Sequence, residues 1–276
     1  TLNPGTWENG FTIDMAFAMH GYLVEVGPDG SMVPNVAESW EASADASEWR
    51  FKLRKGVTFH SGKEVTVDDV IASVNFHRGE ESTSAAGPSV APITDMKADG
   101  DDTIVFTLDG GNADFPFILT DYHIPICKAD GDSIDWQSGD GCGPYILKNV
   151  DFGVQATFER TPNHWRDDVA FFDSIELISL VDLHARTTAL VSGDVDVIDR
   201  LDLKTVGLLA RNKGVNIKSV SGNAHYTIPM DTKIAPFNDN NIRRARKYGI
   251  NREEMVEKIL FGYGSVGNDH PIGAGQ

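Results

Sequence analysis

Up to about Phe171 the apolar residues of this chain recur mainly with a period of two; beyond it, short apolar runs alternate with amphipathic helical stretches. A period of two places alternate side chains on one face of a pleated strand, whereas a period of 3.6 builds one face of a helix. The chain therefore reads as two regions of different architecture. In the first, Tyr22 to Val26, Trp49 to Arg54, Thr103 to Leu108, Tyr122 to Cys127, Tyr145 to Val150 and Val154 to Arg160 read as strands, with turn formers such as Gly27-Pro28-Asp29-Gly30 between them. A helix from Val67 to His77 interrupts them, with Thr66 as N-cap, Asp69 as its capping-box partner, and Val67, Val70, Ile71 and Val74 at helical spacing. A largely antiparallel, strand-rich lobe over about 41 to 170 is the natural reading.

Past Phe171, Ser174 to Leu180 reads as a buried strand and Asp182 to Ser192 as a helix capped by Asp182. Val195 to Ile198 reads as strand, Leu203 to Asn212 as helix, and Val215 to Val220 and Tyr226 to Met230 as strands, the βαβ rhythm of a mostly parallel sheet. Two helices follow, Asn240 to Ile250 and Arg252 to Leu260, the second with Asn251 and Glu254 as a cap pair and Gly262 as its stop.

Charge narrows the function classes. The 276 residues carry 41 acidic and 24 basic side chains, a net charge of -17. Such a surface repels phosphate backbones and anionic lipid heads, so nucleic acid and membrane surfaces are poor partners. No run approaches the roughly 18 to 20 apolar residues that span a bilayer. The opening Thr1-Leu2-Asn3-Pro4 has no initiator Met and no basic-then-apolar leader, which fits either a removed signal peptide or an internal start.

No catalytic or metal motif emerges. There is no Gly-x-Ser-x-Gly elbow, and the histidines (His20, His60, His77, His123, His164, His184, His225, His270) occur singly, without the spacing that puts two metal ligands on one face. Asp99-Gly100-Asp101-Asp102 and Asp130-Gly131-Asp132 lack the Gly and the bidentate Glu that a calcium loop requires, and read as solvated turns. Asp194 and Asp196 share one face at a strand mouth, an ordinary place for polar edge residues. Cys127 and Cys142 flank a segment rich in turn formers; a disulfide closing it and two separate buried thiols both fit. What remains is a lobed α/β protein without an active-site signature, which favours binding over catalysis.

Several segments, in order, resemble the dipeptide/oligopeptide/nickel group of extracytoplasmic solute-binding proteins of ABC importers, bacterial solute-binding protein family 5. They are Leu2-Asn3-Pro4 with His20-Gly21-Tyr22-Leu23-Val24, then Val33-Pro34-Asn35-Val36-Ala37-Glu38-Ser39-Trp40, then Trp49 through Lys63 and Val65-Thr66-Val67-Asp68-Asp69-Val70. Further on come Gly141-Cys142-Gly143-Pro144-Tyr145, Arg160-Thr161-Pro162-Asn163-His164-Trp165, Ser192-Gly193-Asp194-Val195-Asp196, and Pro236-Phe237-Asn238-Asp239 leading into Ile242-Arg243-Arg244-Ala245. Most of these motifs set backbone geometry, so they identify a fold more than a site.

The resemblance implies an α/β, periplasmic-binding-protein-like bilobed clamp of type II. Its mixed-sheet first lobe would comprise 1–40 plus 171–250, a strand-rich accessory lobe would occupy 41–170, and 251–276 would begin a C-terminal lobe that is largely missing, since members run to about twice this length. It implies a monomeric substrate-binding component that hands a peptide or similar small solute to permease subunits in the inner membrane, with no enzyme activity, catalytic residue, cofactor or metal. The location implied is periplasmic or extracytoplasmic, with a lipid anchor in some relatives. An opine, a sugar or a metal chelate is the alternative solute, and a carboxylate-dependent hydrolase the alternative class. Family geometry points to Trp7, Glu8 and Asn9 after the first strand and to Asn223, His225 and Tyr226 as ligand-binding residues, with Trp7 and Tyr226 as flat walls and Glu8 receiving an ammonium. Three positions depart from the pattern: Cys142 replaces a usual Thr, which makes a bridge to Cys127 a local feature, Arg246 stands at a usual Leu, and Gly249 at a usual Ala. Arg246 should cost stability unless it snorkels or finds a carboxylate.

Overall fold

Helix α1 (Gly10–Met19) follows a short 3-10 turn at Pro4–Thr6 and has no counterpart in the sequence reading. Its residues, GFTIDMAFAM, are apolar nearly all round, so no 3.6-residue stripe stands out. Asn9 caps it, the side-chain oxygen accepting from the Thr12 N–H at 3.1 Å. The computed structural model describes residues 1–220 and 225–267, and the chain divides into two units, Thr1–Ser179 and Leu180–Gln276.

In the first unit, β1 (Val24–Val26) and β2 (Met32–Pro34) form a hairpin across the Gly27–Gly30 turn. β3 (Ala37–Ala42), β4 (Glu48–Leu53), β5 (Ile93–Ala98) and β6 (Thr103–Leu108) make an antiparallel sheet in the order β3-β4-β6-β5. Alternation decides its buried face: Trp49, Phe51 and Leu53 point inward from β4 while Lys52 stays in solvent. Phe51 meets Phe106 edge-on at 5.5 Å, and each such buried ring contributes about 2 kcal/mol or more. Helix α2 (Val67–Asn75) lays Val67, Val70 and Val74 on this core, and the short helices α3 (Gly87–Val90) and α4 (Phe115–Ile118) add Val90 and Phe115.

The expected capping box is formed. Thr66 Oγ1 accepts from the Asp69 N–H, and Asp69 accepts from the Thr66 N–H at 2.9 Å. Asp69 also receives Lys63 Nζ at 2.6 Å and the Ala129 N–H at 2.8 Å, so the helix start anchors a distant segment. That segment includes Tyr122 to Cys127, which is not the strand its residues suggested. Its N–H groups go to scattered acceptors, Ile126 to Gly21 O and Cys127 to Ser73 Oγ, rather than to one partner strand. Next comes a two-residue ladder between β7 (Ala129–Asp130) and β8 (Ser133–Ile134).

β9 (Tyr145–Asp151), β10 (Gln155–Arg160) and β11 (Ser174–Ile178) form a second antiparallel sheet, with β10 in the middle. Helix α1 packs on it through a separate core: Met15 and Met19 against Tyr145, Ala156 and Phe158, with Ile175 and Leu177 alongside. The segment expected as a buried strand is thus an edge strand with alternate residues exposed.

The second unit is helical among its described residues. α5 (Leu183–Ser192) starts at Asp182, which accepts from the Ala185 N–H at 2.7 Å, and stops at Gly193 with φ +82°. α6 (Val206–Leu209) is one turn of the longer helix expected there, and its Val206 and Leu209 are the buried apolar residues among those described in this unit. α7 (Asn240–Tyr248) is capped by Asp239, and α8 (Arg252–Lys258) starts at the expected cap, Asn251.

The parallel sheet expected here is corrected. Val195 to Ile198, Val215 to Val220 and Tyr226 to Met230 form no strand, and Val197, Val220 and Tyr226 are 83%, 79% and 90% exposed. β propensity expresses itself against a hydrogen-bonded neighbour and a covered face, and these runs have neither among the described residues.

Candidate functional site

The turn Thr6–Asn9 is fixed from three directions within the first unit. The Trp7 indole N–H donates to Thr1 O at 3.3 Å, and the ring lies 5.9 Å from that of His20. At 2% exposure, Trp7 is a packed anchor of the turn, whereas Glu8 and Asn9 are exposed. The Asn9 side chain is engaged in capping α1, which leaves the Glu8 carboxylate as the freely presented group.

Sequence reasoning missed the group that holds this turn. The His123 ring contacts Trp7 O through Nε2 and Asp121 Oδ1 through Nδ1, both at 2.7 Å. Asp121 also accepts the His123 N–H at 2.9 Å, an Asx turn whose Asp-x-His spacing was the one available signal. Between them, Tyr122 has its hydroxyl pushed above the ordinary range by burial, then by the Asp121 and Glu8 carboxylates, which places Glu8 in its field. Below the turn, the His77 Nδ1 lies 2.6 Å from Ser84 Oγ, and the Ala85 N–H donates to Gly5 O at 3.0 Å. Burial, then the field of His123, lowers His77 to about 4, so the ring is neutral at physiological pH.

The remaining conspicuous motifs of the first unit converge elsewhere. The Gly143 carbonyl accepts from His60 Nε2 at 3.0 Å and from Thr161 Oγ1 at 2.9 Å, while Asp140 accepts from the Ser61 N–H at 2.9 Å and from Ser61 Oγ at 2.6 Å. A Cβ on Gly143 would lie 2.6 Å from the His20 nitrogen, and one on Gly141 would collide with Met19 O, so chain crosses chain here at glycine distance. Next to this crossing is a concavity of about 170 Å³, with Tyr22, Glu25, Asn35, His164 and Trp165 among its walls. Burial, then His60, lowers His20 to about 3. These residues join loops; none presents a nucleophile beside a free base.

Cys127 and Cys142 are free, buried thiols, and no bridge joins them in this structure. The Cys142 sulfur instead lies 4.0 Å from Ile126 O. Burial pushes Cys142 up to about 12 and Cys127 higher still, so neither is a reactive thiolate.

The residues expected from the other part of the chain lie in the second unit. His225 and Tyr226 are exposed, and Asn223 lies outside the described residues. The structure therefore brings Trp7, Glu8 and Asn9 together in one turn, with His225 and Tyr226 adjacent to one another in the other unit. Among the described residues no group of three or more His, Cys, Asp or Glu side chains is placed to hold a metal ion, and no helix is long and apolar enough to cross a membrane.

Compared with known families, residues 31–274 match the model of the bacterial extracellular solute-binding proteins, family 5 Middle. The chain belongs to this family. Among curated relatives of this family member, the probable D,D-dipeptide-binding periplasmic protein of Escherichia coli K12 is 26% identical over 95% of this chain and 54% of its own length. The nickel-binding periplasmic protein of the same organism is 25% identical over 87% of this chain and 48% of its own. Among solved structures, NikZ from Campylobacter jejuni in complex with Ni(L-His) superposes with a TM-score of 0.80 at 19% identity, covering 98% of this chain and 55% of that one. The chain thus spans about half the length of the relatives it matches. The mixed α/β fold is that of family 5 structures.

Proposed function

We propose that this protein is the substrate-binding component of an ABC importer, capturing a peptide or similar small solute outside the cytoplasm and delivering it to membrane permease subunits. The observation that carries this reading is the family match across residues 31–274 together with the fold. Relatives named as D,D-dipeptide-binding, oligopeptide-binding and nickel-binding periplasmic proteins support the solute class and the periplasmic location. On this reading the Thr6–Asn9 turn presents Glu8 to a cationic group of the solute, and Asn223, His225 and Tyr226 are the other ligand-binding residues. The accessory lobe lies within 41–170, the first lobe combines 1–40 with 171–250, and 251–276 opens the C-terminal lobe. Clamps of this kind work by closing on the ligand, so affinity draws on both lobes.

A hydrolase has less support, because the Asp121–His123 pair, which would otherwise suit a catalytic base, has its second ring nitrogen engaged by Trp7 O. The test is a thermal-shift panel of di- and tripeptides, opines and nickel chelates on natively purified protein, run beside ester, peptide and glycoside turnover assays, with mass spectrometry of any co-purified small molecule. A solute-dependent shift without turnover is expected; turnover with no ligand shift overturns the proposal.

A further inference from the structure

Both nitrogens of the His123 ring face oxygens that accept hydrogen bonds. Nε2 lies 2.7 Å from Trp7 O, and Nδ1 lies 2.7 Å from Asp121 Oδ1. A carbonyl oxygen has no proton to give, and neither has an ionised carboxylate. A neutral imidazole carries one N–H, so it satisfies one of these contacts and turns a lone pair on the other oxygen, whereas the imidazolium donates to both. Both distances fall at the short end of the N–H···O range, where charge-assisted bonds lie.

The surroundings suit a charged ring. His123 is 6% exposed, so a charge on it needs a partner already in place. Asp121 is that partner, oriented by a second bond from the His123 N–H at 2.9 Å. The Tyr122 ring lies 4.1 Å from the imidazole, centroid to centroid, within the distance at which an aromatic ring attracts a cation. The other ionisable groups come from three neighbouring segments. His77, just past α2, is kept neutral by burial and then by the field of His123. Tyr22, ahead of β1, donates its hydroxyl to Tyr122 O at 3.1 Å. On the turn itself, the Glu8 carboxylate reaches Tyr122 with its field, and the Trp7 ring lies 5.9 Å from that of His20, which burial holds at about 3. Of these three histidines, only His123 has a carboxylate at hydrogen-bond distance among the described residues.

We infer that the native fold holds His123 as an imidazolium bridging Asp121 to Trp7 O, and that loss of its Nε2 proton frees the turn that presents Glu8. The ring keeps its remaining proton on Nδ1, because a bond to a carboxylate is about twice as strong as one between neutral groups. Nε2 then points a lone pair at Trp7 O, and the two repel. His123 is thereby a positioning residue: it acts on the backbone of the turn, and its proton decides whether Glu8 is held in place. The protonation state stands on the geometry of the first unit alone; only its effect on solute capture rests on the importer reading. On that reading, capture of a cationic solute weakens as pH rises and the ring is deprotonated, although Glu8 itself stays ionised.

The experiment is nitrogen-15 NMR of the 276-residue chain with labelled histidine and tryptophan, recorded from pH 5.5 to pH 9. His123→Gln assigns the imidazole signals and Trp7→Phe the indole signal. Two protonated ring nitrogens at the acid end are expected, followed by a single step in which Nε2 loses its proton and the Trp7 indole N–H signal moves with it. In Asp121→Asn, checked for native circular dichroism, the step should come at a pH lower by about 1 or more, since an opposite charge at this distance favours the charged ring by that much. The parent spectra decide the matter even where this variant does not fold. A ring with one bare nitrogen at pH 5.5 while the Trp7 signal is native overturns the inference, and so does deprotonation that leaves the Trp7 signal unmoved. Failure of every solute to bind would count against the importer reading and leave these signals as they are.

Discussion

His123 Nε2 lies 2.7 Å from the carbonyl oxygen of Trp7, a contact between residues 116 positions apart that holds the turn carrying Glu8 and Asn9. Replacing His123 with Phe keeps a ring of similar size but removes the ring nitrogens that face Trp7 O and Asp121. Unsatisfied buried acceptors cost about 1 to 3 kcal/mol. An unfolding free energy from urea titration lowered by that amount, with faster amide exchange confined to residues 6–9, is the expected result; exchange unchanged there would show that His123 does not position the turn.

Asp69 is fully buried and accepts from Thr66, Lys63 and the Ala129 N–H, joining the α2 cap to the segment after Cys127. Asp69→Ala removes a cap and leaves the half-buried Ala129 N–H without its acceptor, so the loss should be about 3 kcal/mol, more than the ~2 kcal/mol of a strong single cap. Thr66→Ala, which removes only the hydroxyl, should cost about 1 kcal/mol. Equilibrium denaturation of the two variants checks the ratio.

Acid should destabilise the first unit below neutral pH. Burial holds His20 at about 3 and His77 at about 4 in the fold, against an ordinary value of 6.5. As pH falls below 6.5 the unfolded chain takes up protons that the folded chain refuses, so stability drops by about 1.4 kcal/mol per pH unit for each ring until its folded value is reached. Asp69 adds to the trend at lower pH. Burial alone would raise it, but the bonds from Ala129, Lys63 and Thr66 hold it below the usual carboxylate range, so its contribution is present above 3.8 and lost as pH falls through its folded value. Denaturant midpoints between pH 7.5 and pH 4 test this, and His77→Gln should flatten the slope by about one proton's worth.

Two glycine substitutions should have opposite signs. Gly143→Ala drives a methyl into the backbone of Met19 and His20, at 2.6 Å from each, and should cost about 3 kcal/mol or abolish folding. Gly207→Ala meets nothing within 4 Å inside helix α6 and should stabilise by about 0.4 to 1 kcal/mol through the unfolded state. Thermal melts of the pair decide the point.

Both cysteines are buried and have raised thiol values, so a native sample should react with a thiol reagent far more slowly than an unfolded one. Two titratable thiols in denaturant, with none reacting promptly in buffer, is the expected count. Absence of both thiols in denaturant without reductant would show a bridge instead.

Much of the first unit was legible because its signals are local. Thr66 and Asp69 sit three residues apart, so a capping box can be read without knowing the fold. Alternation in Trp49, Phe51 and Leu53 states which side of β4 is dry. Helix α1 was not legible, since a segment apolar on all sides shows no period. The candidate site was legible only at Trp7, Glu8 and Asn9, and only through family resemblance. The ring that positions them, His123, belongs to a distant segment, and no pattern in the sequence pairs residues 7 and 123.

By itself the sequence determined the family, the caps of α2, α5 and α8, and the alternation of the main sheet, all properties of residues a few positions apart or of motifs in fixed order. Only the tertiary structure decided that Tyr122 to Cys127 runs without a partner strand among the described residues, and that the glycines at 141 and 143 admit crossing chains. The physical reason is range. A cap or an alternation is settled by bonds within one turn or one strand, whereas the partner of a ring, a carbonyl or a guanidinium is set by which distant segment the packed core brings alongside it.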